Sequence, residues 1–207
     1  PLQDNDGNWG AKYFSLIDQL YHHNKNSEEK KFVFFICHSF QLACRHFQLA
    51  EISKRKSTSF GVFPVHKCEA GFSEPVFQGL PDPFYAVDSR DWQVISPDDA
   101  RMNLMSAKML AIEKERPHIP LERAVMGIRF SDEFIGTQFH PEADAAGMSL
   151  YLQSEEKKQQ VIANYGKEKY NRMIKQLHDA DKIMLTQQII LPSFLDMAVQ
   201  SLQEAVN

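Results

Sequence analysis

Residues 32–41 read Phe-Val-Phe-Phe-Ile-Cys-His-Ser-Phe-Gln, and this stretch decides the fold. From Phe32 to Ile36 the chain is apolar without alternation, the pattern of a strand buried on both faces of a parallel sheet. From His38 to Phe47 the spacing changes. Phe40, Ala43, Cys44 and Phe47 now share one helical face. Cys37 therefore stands at a strand-to-helix turn. The expected setting is the carboxyl end of a central strand in a doubly wound, mostly parallel α/β sheet, where such sheets bind ligands.

Working outward, Tyr13, Phe14, Ile17, Leu20 and Tyr21 predict a helix from Ala11 to His23, after a turn at Gly7–Gly10. Downstream, short strands are expected at Ala50–Ser53, Gly61–His66 and Phe84–Asp88, with a short helix or turn at Pro75–Leu80. A second cluster comprises Ser106–Ile112, Ala124–Phe130 and Phe134–Phe139, the last two joined by a hairpin turn at Ser131-Asp132-Glu133. After Glu142 the texture becomes helical: Ala145–Gln153, Glu155–Tyr165, Glu168–Leu177 and Leu191–Ala205. A boundary near Asp144 thus separates an α/β domain, 1–144, from a helical C-terminal extension, 145–207, expected to stand apart from the chemistry.

Composition narrows the function classes. The chain has 207 residues, 43% apolar and 24% charged, which is ordinary for a folded globular protein. Its net charge of −4 argues against a nucleic-acid binder, which carries a basic surplus. Cys37, Cys44 and Cys68 form no CxxC pair and no even framework, which points to a reducing, cytoplasmic setting. No apolar run approaches a membrane span. His22-His23 and the His66/Cys68 pair lack a second pair at ligand spacing, so no metal is expected. Lys54-Arg55-Lys56 reads as a solvated strand end.

Two short segments carry chemistry. A cysteine opening a helix after a buried strand sits where backbone N–H groups converge. They favour a thiolate and can hold a developing oxyanion. The commoner fate of a lone cysteine is a small buried core residue. In Thr137-Gln138-Phe139-His140-Pro141-Glu142, positions two apart on a strand share a face, so His140 and Glu142 become neighbours. A carboxylate beside an imidazole fixes its tautomer and supports the imidazolium. By itself this segment reads more readily as a strand-end His-Pro turn with a solvated glutamate.

Taken together the segments resemble a known family. Phe-Ile-Cys-His-Ser-Phe-Gln at 35–41 resembles the Gly-Ile-Cys-x-Gly-His-Gln nucleophile turn of class I, triad-type glutamine amidotransferases. Gly-Thr-Gln-Phe-His-Pro-Glu at 136–142 resembles their Gly-x-Gln-Phe-His-Pro-Glu segment almost residue for residue, especially in the GMP-synthase-like group. Val87 to Val94 is similar to the stretch that lines the family's glutamine pocket. The resemblance implies a flavodoxin-like α/β fold and a catalytic triad of Cys37, His140 and Glu142. It further implies an oxyanion donor at the backbone N–H of His38, and substrate contacts from Gln41, Ser89 and Arg90. Glutamine would be the substrate, hydrolysed through a thioester to glutamate and ammonia without a cofactor. A synthetase partner would take the ammonia, and homo-oligomerisation is open.

The chain also departs from the pattern. Phe35 and Ser39 stand where the family has glycine, and Arg90 replaces a histidine. The family's Gly-Gly-Pro-Gly loop, which gives a second oxyanion N–H, is not found, and Pro1-Leu2 resembles the residues that follow it. The expectation is a domain lacking its first strands. Three other readings remain open: a γ-glutamyl amide or peptide hydrolase of the same fold, a non-catalytic binding module, and a redox-sensing cysteine with Cys44 as resolving thiol.

Overall fold

A computed structural model describes residues 7–204. Pro1-Leu2 lies outside them, as does Ala205, where the last helix was expected to end. Six strands form one sheet in the order β1-β6-β5-β4-β2-β3. β1 (Val33–Ile36) runs parallel to β6 (Phe134–Thr137), with Phe35 opposite Gly136. β5 (Val125–Arg129), β4 (Lys108–Glu113), β2 (Glu51–Lys67) and β3 (Phe84–Ile95) follow antiparallel.

The expected α/β architecture forms, but its sheet is mixed rather than mostly parallel. Only the β1–β6 pair runs parallel; β5 and β6 are joined by the predicted Ser131-Asp132-Glu133 turn, which forces an antiparallel pair. β1 is also an edge strand among the described residues, not a central one.

The continuous apolar run of β1 has the predicted cause: both faces of the sheet are covered. Phe35, Phe134, Val125 and Ile128 point to one side, where α1 (Gly7–Asn26), α2 (His38–His46) and α4 (Asp99–Met105) supply Ile17, Phe40, Ala43 and Met102. Phe34, Ile135 and Met126 point to the other, against a 3-10 turn at Pro75–Phe77 and α8 (Leu185–Glu204), which supplies Ile190 and Phe194. A short α3 (Glu69–Phe72) packs on β4. Beyond β6, α5 (Ala145–Gln153), α6 (Glu155–Tyr165) and α7 (Lys167–Leu177) close a third core against Val62 and Val87.

Several boundaries differ from the sequence reading. Gly7–Gly10 is the first turn of α1, not a separate turn; Trp9 packs on Tyr13 one helical turn on, and that contact outweighs glycine's poor helix propensity. The two strands expected at Ala50–Ser53 and Gly61–His66 are one long β2, with a register shift between Lys54 and Ser59. α8 begins at Leu185 and runs through Pro192, because Ile190 and Phe194 on either side of it are fixed in the core. Asp144 caps α5, its carboxylate accepting from the N–H groups of Ala146 and Gly147 at 3.1 and 2.7 Å. No helix among the described residues is long and apolar enough to cross a membrane.

Candidate active site

Cys37 links β1 to α2 in a backbone conformation that side-chain-bearing residues rarely adopt, φ 51° and ψ −100°. Such a conformation costs roughly 1–3 kcal/mol and persists only where its surroundings impose it. Here they do. The Cys37 N–H donates to Thr137 C=O at 2.8 Å, carrying the β1–β6 ladder one step past the strand. The Ser39 hydroxyl accepts from Ile36 N–H at 2.7 Å and donates to Ile36 C=O at 2.9 Å, tying the turn from its other side. No side chain caps α2. The first N–H groups of this helix, His38's among them, have no acceptor within the helix.

The two residues expected to crowd this turn are both accommodated. Ser39 supplies the tie just described. Phe35 is buried among Phe130 and Phe134, and its partner across the ladder is Gly136. A Cβ at Gly136 would stand 2.9 Å from both Phe35 Cβ and Phe40 Cδ2. The glycine at 136 thus leaves the room that the Phe35 and Phe40 side chains occupy.

His140 reaches the thiol from beyond β6. Its N–H donates to Val87 C=O at 2.9 Å, which pins it against β3. Nδ1 lies 2.7 Å from Glu142 Oε1, and Cys37 is close enough to the imidazole to act on its proton affinity. The His140 pKa is raised to about 10, first by the neighbouring Cys37 and then by the hydrogen bond with Glu142, with burial opposing both. Burial raises the Glu142 carboxyl, but the hydrogen bond with His140 and its own backbone bond outweigh it and leave it below its ordinary value. A thiol, an imidazole and a carboxylate in this order can pass a proton from sulfur to nitrogen while the carboxylate steadies the cation.

The other predicted residues fall into two groups. Ser89 is beside the thiol, its carbonyl 3.9 Å from Cys37 Sγ. Gln41 is buried, its amide donating to Trp92 C=O at 3.3 Å and to Gln138 Oε1 at 3.0 Å. Arg90 is turned into the protein, its side chain 1% exposed. Its Nε donates to Asp88 at 2.9 Å, and its terminal nitrogens meet Trp92 C=O at 3.3 Å and Glu113 at 3.5 Å. Arg55 joins Glu113 at 3.0 Å, so the basic run at 54–56 is not wholly a solvated strand end.

Gln138 was not singled out in the sequence. It is fully buried, and its amide donates toward Cys37 Sγ at 3.8 Å while accepting from Gln41. The signal was its place inside the 136–142 segment, two residues before His140. Cys44 is buried in the core, where burial pushes its thiol well up, a poor setting for a resolving thiol. Among the described residues no group of three or more His, Cys, Asp and Glu could hold a metal ion.

Residues 11–154 match the family model described as Glutamine amidotransferase class-I. The chain belongs to the class I glutamine amidotransferase family. The match ends at Ser154, the residue that follows α5, so the matched segment takes in the first helix past Asp144. Among solved structures, a glutamine amidotransferase from Thermotoga maritima is similar at a TM-score of 0.63 and 18% identity, over 91% of this chain and 69% of that one. A second, from Methylobacillus flagellatus, is similar at 0.62 and 14% identity, over 95% of this chain and 73% of that one. These likenesses establish that this amidotransferase domain shares their fold. No curated protein sequence matches the chain.

Proposed function

We propose that the protein hydrolyses the side-chain amide of glutamine to glutamate and ammonia through a thioester on Cys37. The observation that carries this reading is the placement of the His140 ring between the Cys37 sulfur and the Glu142 carboxylate. The Cys37 sulfur adds to the amide carbon. The oxygen then carries negative charge, and the N–H of His38, at the positive end of α2, stabilises it. His140 gives its proton to the departing nitrogen. Water then attacks the thioester, with His140 taking the proton.

Gln41 contributes through Gln138, which it holds against the sulfur, and through Trp92, whose carbonyl it shares with Arg90. Arg90 acts as a positioning residue: anchored on Asp88 and Glu113, it fixes the strand that presents the Ser89 carbonyl to Cys37. A synthetase partner receiving ammonia, and a cytoplasmic location, belong to the same reading.

The test is ammonia release from glutamine, measured before and after treatment with a glutamine-analogue alkylator and followed by peptide mapping. Label on Cys37 with loss of activity is the expected result. Label on Cys44 or Cys68, or full activity in Cys37→Ser, sinks the assignment.

A further inference from the structure

Two glutamines stand between a backbone carbonyl and the Cys37 sulfur, and both are buried. Gln41 Nε2 donates to Trp92 C=O at 3.3 Å and to Gln138 Oε1 at 3.0 Å. Gln138 Nε2 donates toward Cys37 Sγ at 3.8 Å. Proton transfer between Cys37 and His140 leaves a buried amide beside the nucleophile without a task.

The direction of this chain is fixed at its far end. A peptide carbonyl has no proton, so the Gln41 group that faces Trp92 C=O must be its NH2. The second hydrogen of that NH2 points to Gln138, which therefore presents its carbonyl oxygen. Turning Gln138 over would set two NH2 groups against each other and leave buried donors without acceptors, which is costly. The Gln138 NH2 is thereby left facing the sulfur. Arg90 Nη1 donates to the same Trp92 C=O at 3.3 Å and takes its other lone pair. On another side the sulfur meets Ser89 C=O, 3.9 Å away, which accepts from S–H but repels a thiolate. An amide N–H discriminates the other way, since hydrogen bonds to an ionised acceptor are roughly twice as strong as neutral ones.

We infer that Gln138 is a further catalytic residue: its amide holds Cys37 as the thiolate, and Gln41 with Trp92 C=O keeps that amide turned toward the sulfur as positioning groups. This rests on the reading of Cys37 as the nucleophile and deepens it. When the thiol gives its proton to His140, the sulfur exchanges Ser89 C=O for the Gln138 N–H. When the sulfur pair then forms the bond to the amide carbon, the charge moves to the oxygen and the Gln138 bond weakens. The other titratable or charged groups around the sulfur are His140 with Glu142 behind it, His38 next in the chain, and Arg90 with Asp88 and Glu113 behind Trp92. All of these are retained when Gln138 alone is replaced.

The experiment follows the rate of Cys37 alkylation by iodoacetamide against pH in the full chain, with peptide mapping to separate Cys37 from Cys68. Gln138→Met, similar in length but without the donor, should raise the alkylation midpoint by about one pH unit, roughly the worth of one hydrogen bond to a charged group. Below both midpoints the rate should fall about tenfold. The high-pH plateau should stay at or above that of the wild type, because a less stabilised thiolate is the better nucleophile. Gln41→Met should move the midpoint the same way by less. An unmoved midpoint in folded Gln138→Met, with or without a uniform loss of rate, overturns the proposal. In the wild type, whatever the variants do, the NMR signals of the Gln138 side-chain N–H groups should titrate with the Cys37 midpoint and stay constant in Cys37→Ser; signals that ignore Cys37 also overturn it. Ammonia release is measured in parallel. A moved midpoint without ammonia from glutamine sinks the glutaminase reading and leaves the role of the amide standing, whereas ammonia release with an unmoved midpoint does the reverse.

Discussion

The His140 Nδ1 and Glu142 Oε1 atoms lie 2.7 Å apart although Pro141 separates the two residues. The carboxylate thereby fixes which ring nitrogen is left for Cys37. Cys37, His140 and Glu142 should then behave as one unit. Cys37→Ser and His140→Ala should each lower kcat for glutamine by about 10⁴-fold or more, with the double variant scarcely worse than either. Glu142→Gln should lose about 10²-fold, because it orients and stabilises rather than transferring the proton. Steady-state ammonia release checks all four proteins, and additive losses in the double variant would count against a single unit.

Protonated His140 should make stability depend on pH in one direction. Its folded-state pKa is raised from 6.5 to about 10, so the proton is held more tightly in the folded than in the unfolded chain. The stabilisation is fully present below about 6.5 and is lost as pH rises toward 10. Denaturant unfolding of wild type and His140→Gln should diverge most at pH 6 and converge by about pH 10. A difference that grows with pH would reverse the assignment.

Gly136→Ala should destabilise the domain by about 1–3 kcal/mol, the usual cost of overpacking. The added methyl meets the Phe35 Cβ at 2.9 Å and the Phe35 carbonyl at 3.0 Å, neither of them the movable end of a side chain. Phe35→Ala in the Gly136→Ala background should restore none of the lost stability, since alanine keeps both the Cβ and the carbonyl that the added methyl meets, and loss of the buried ring leaves a cavity. Urea midpoints at constant m-value measure both.

Glu113 is the hub of a buried ionic cluster. Arg55 meets it at 3.0 Å and Arg116 at 2.9 Å. Burial raises its carboxyl, yet Arg55, Arg90 and Arg116 together bring it below its ordinary value. Its stabilisation is therefore present above the unfolded-state pKa and lost as pH falls through the lowered one. Glu113→Gln should cost about 3–5 kcal/mol, since it leaves buried guanidinium groups without a countercharge. It should also flatten the acid limb of the stability profile.

Phe194→Ala, far along α8, should cost about 3–5 kcal/mol. Its ring packs on Phe32 and Phe34 with centroids at 6.2 and 5.1 Å, beside the strand that carries Cys37. Deleting 192–207 should accordingly unfold the domain rather than leave a stable core with reactive Cys37. Thermal melts separate these outcomes.

Sequence reading found the elements of the site because their signals are local. A run such as Phe32–Ile36 has no polar atom to present to water, and its burial on both faces follows. Cys37 at its end, and His140 two positions from Glu142, follow from strand and helix periods alone. Arg90 was misplaced for a related reason. It alternates with Ser89 along β3, and period two places them on opposite faces without saying which face meets the thiol.

What the sequence by itself determined is the strand-turn-helix at Cys37, the neighbouring His140 and Glu142, and the helices of the C-terminal region, each set by contacts within a few residues. The tertiary structure alone decided the rest. It paired Phe35 with Gly136 across 101 positions of chain, numbers 35 and 136, which is why a bulky side chain fits where the family has glycine. It also set Gln138 against the sulfur, turned Arg90 onto Glu113, and closed α5 and α7 over Val62 and Val87 to leave a cavity at His140. These relationships depend on strand register and on which helix face meets the sheet. Both are fixed by packing many side chains at once, so no single stretch of sequence contains them.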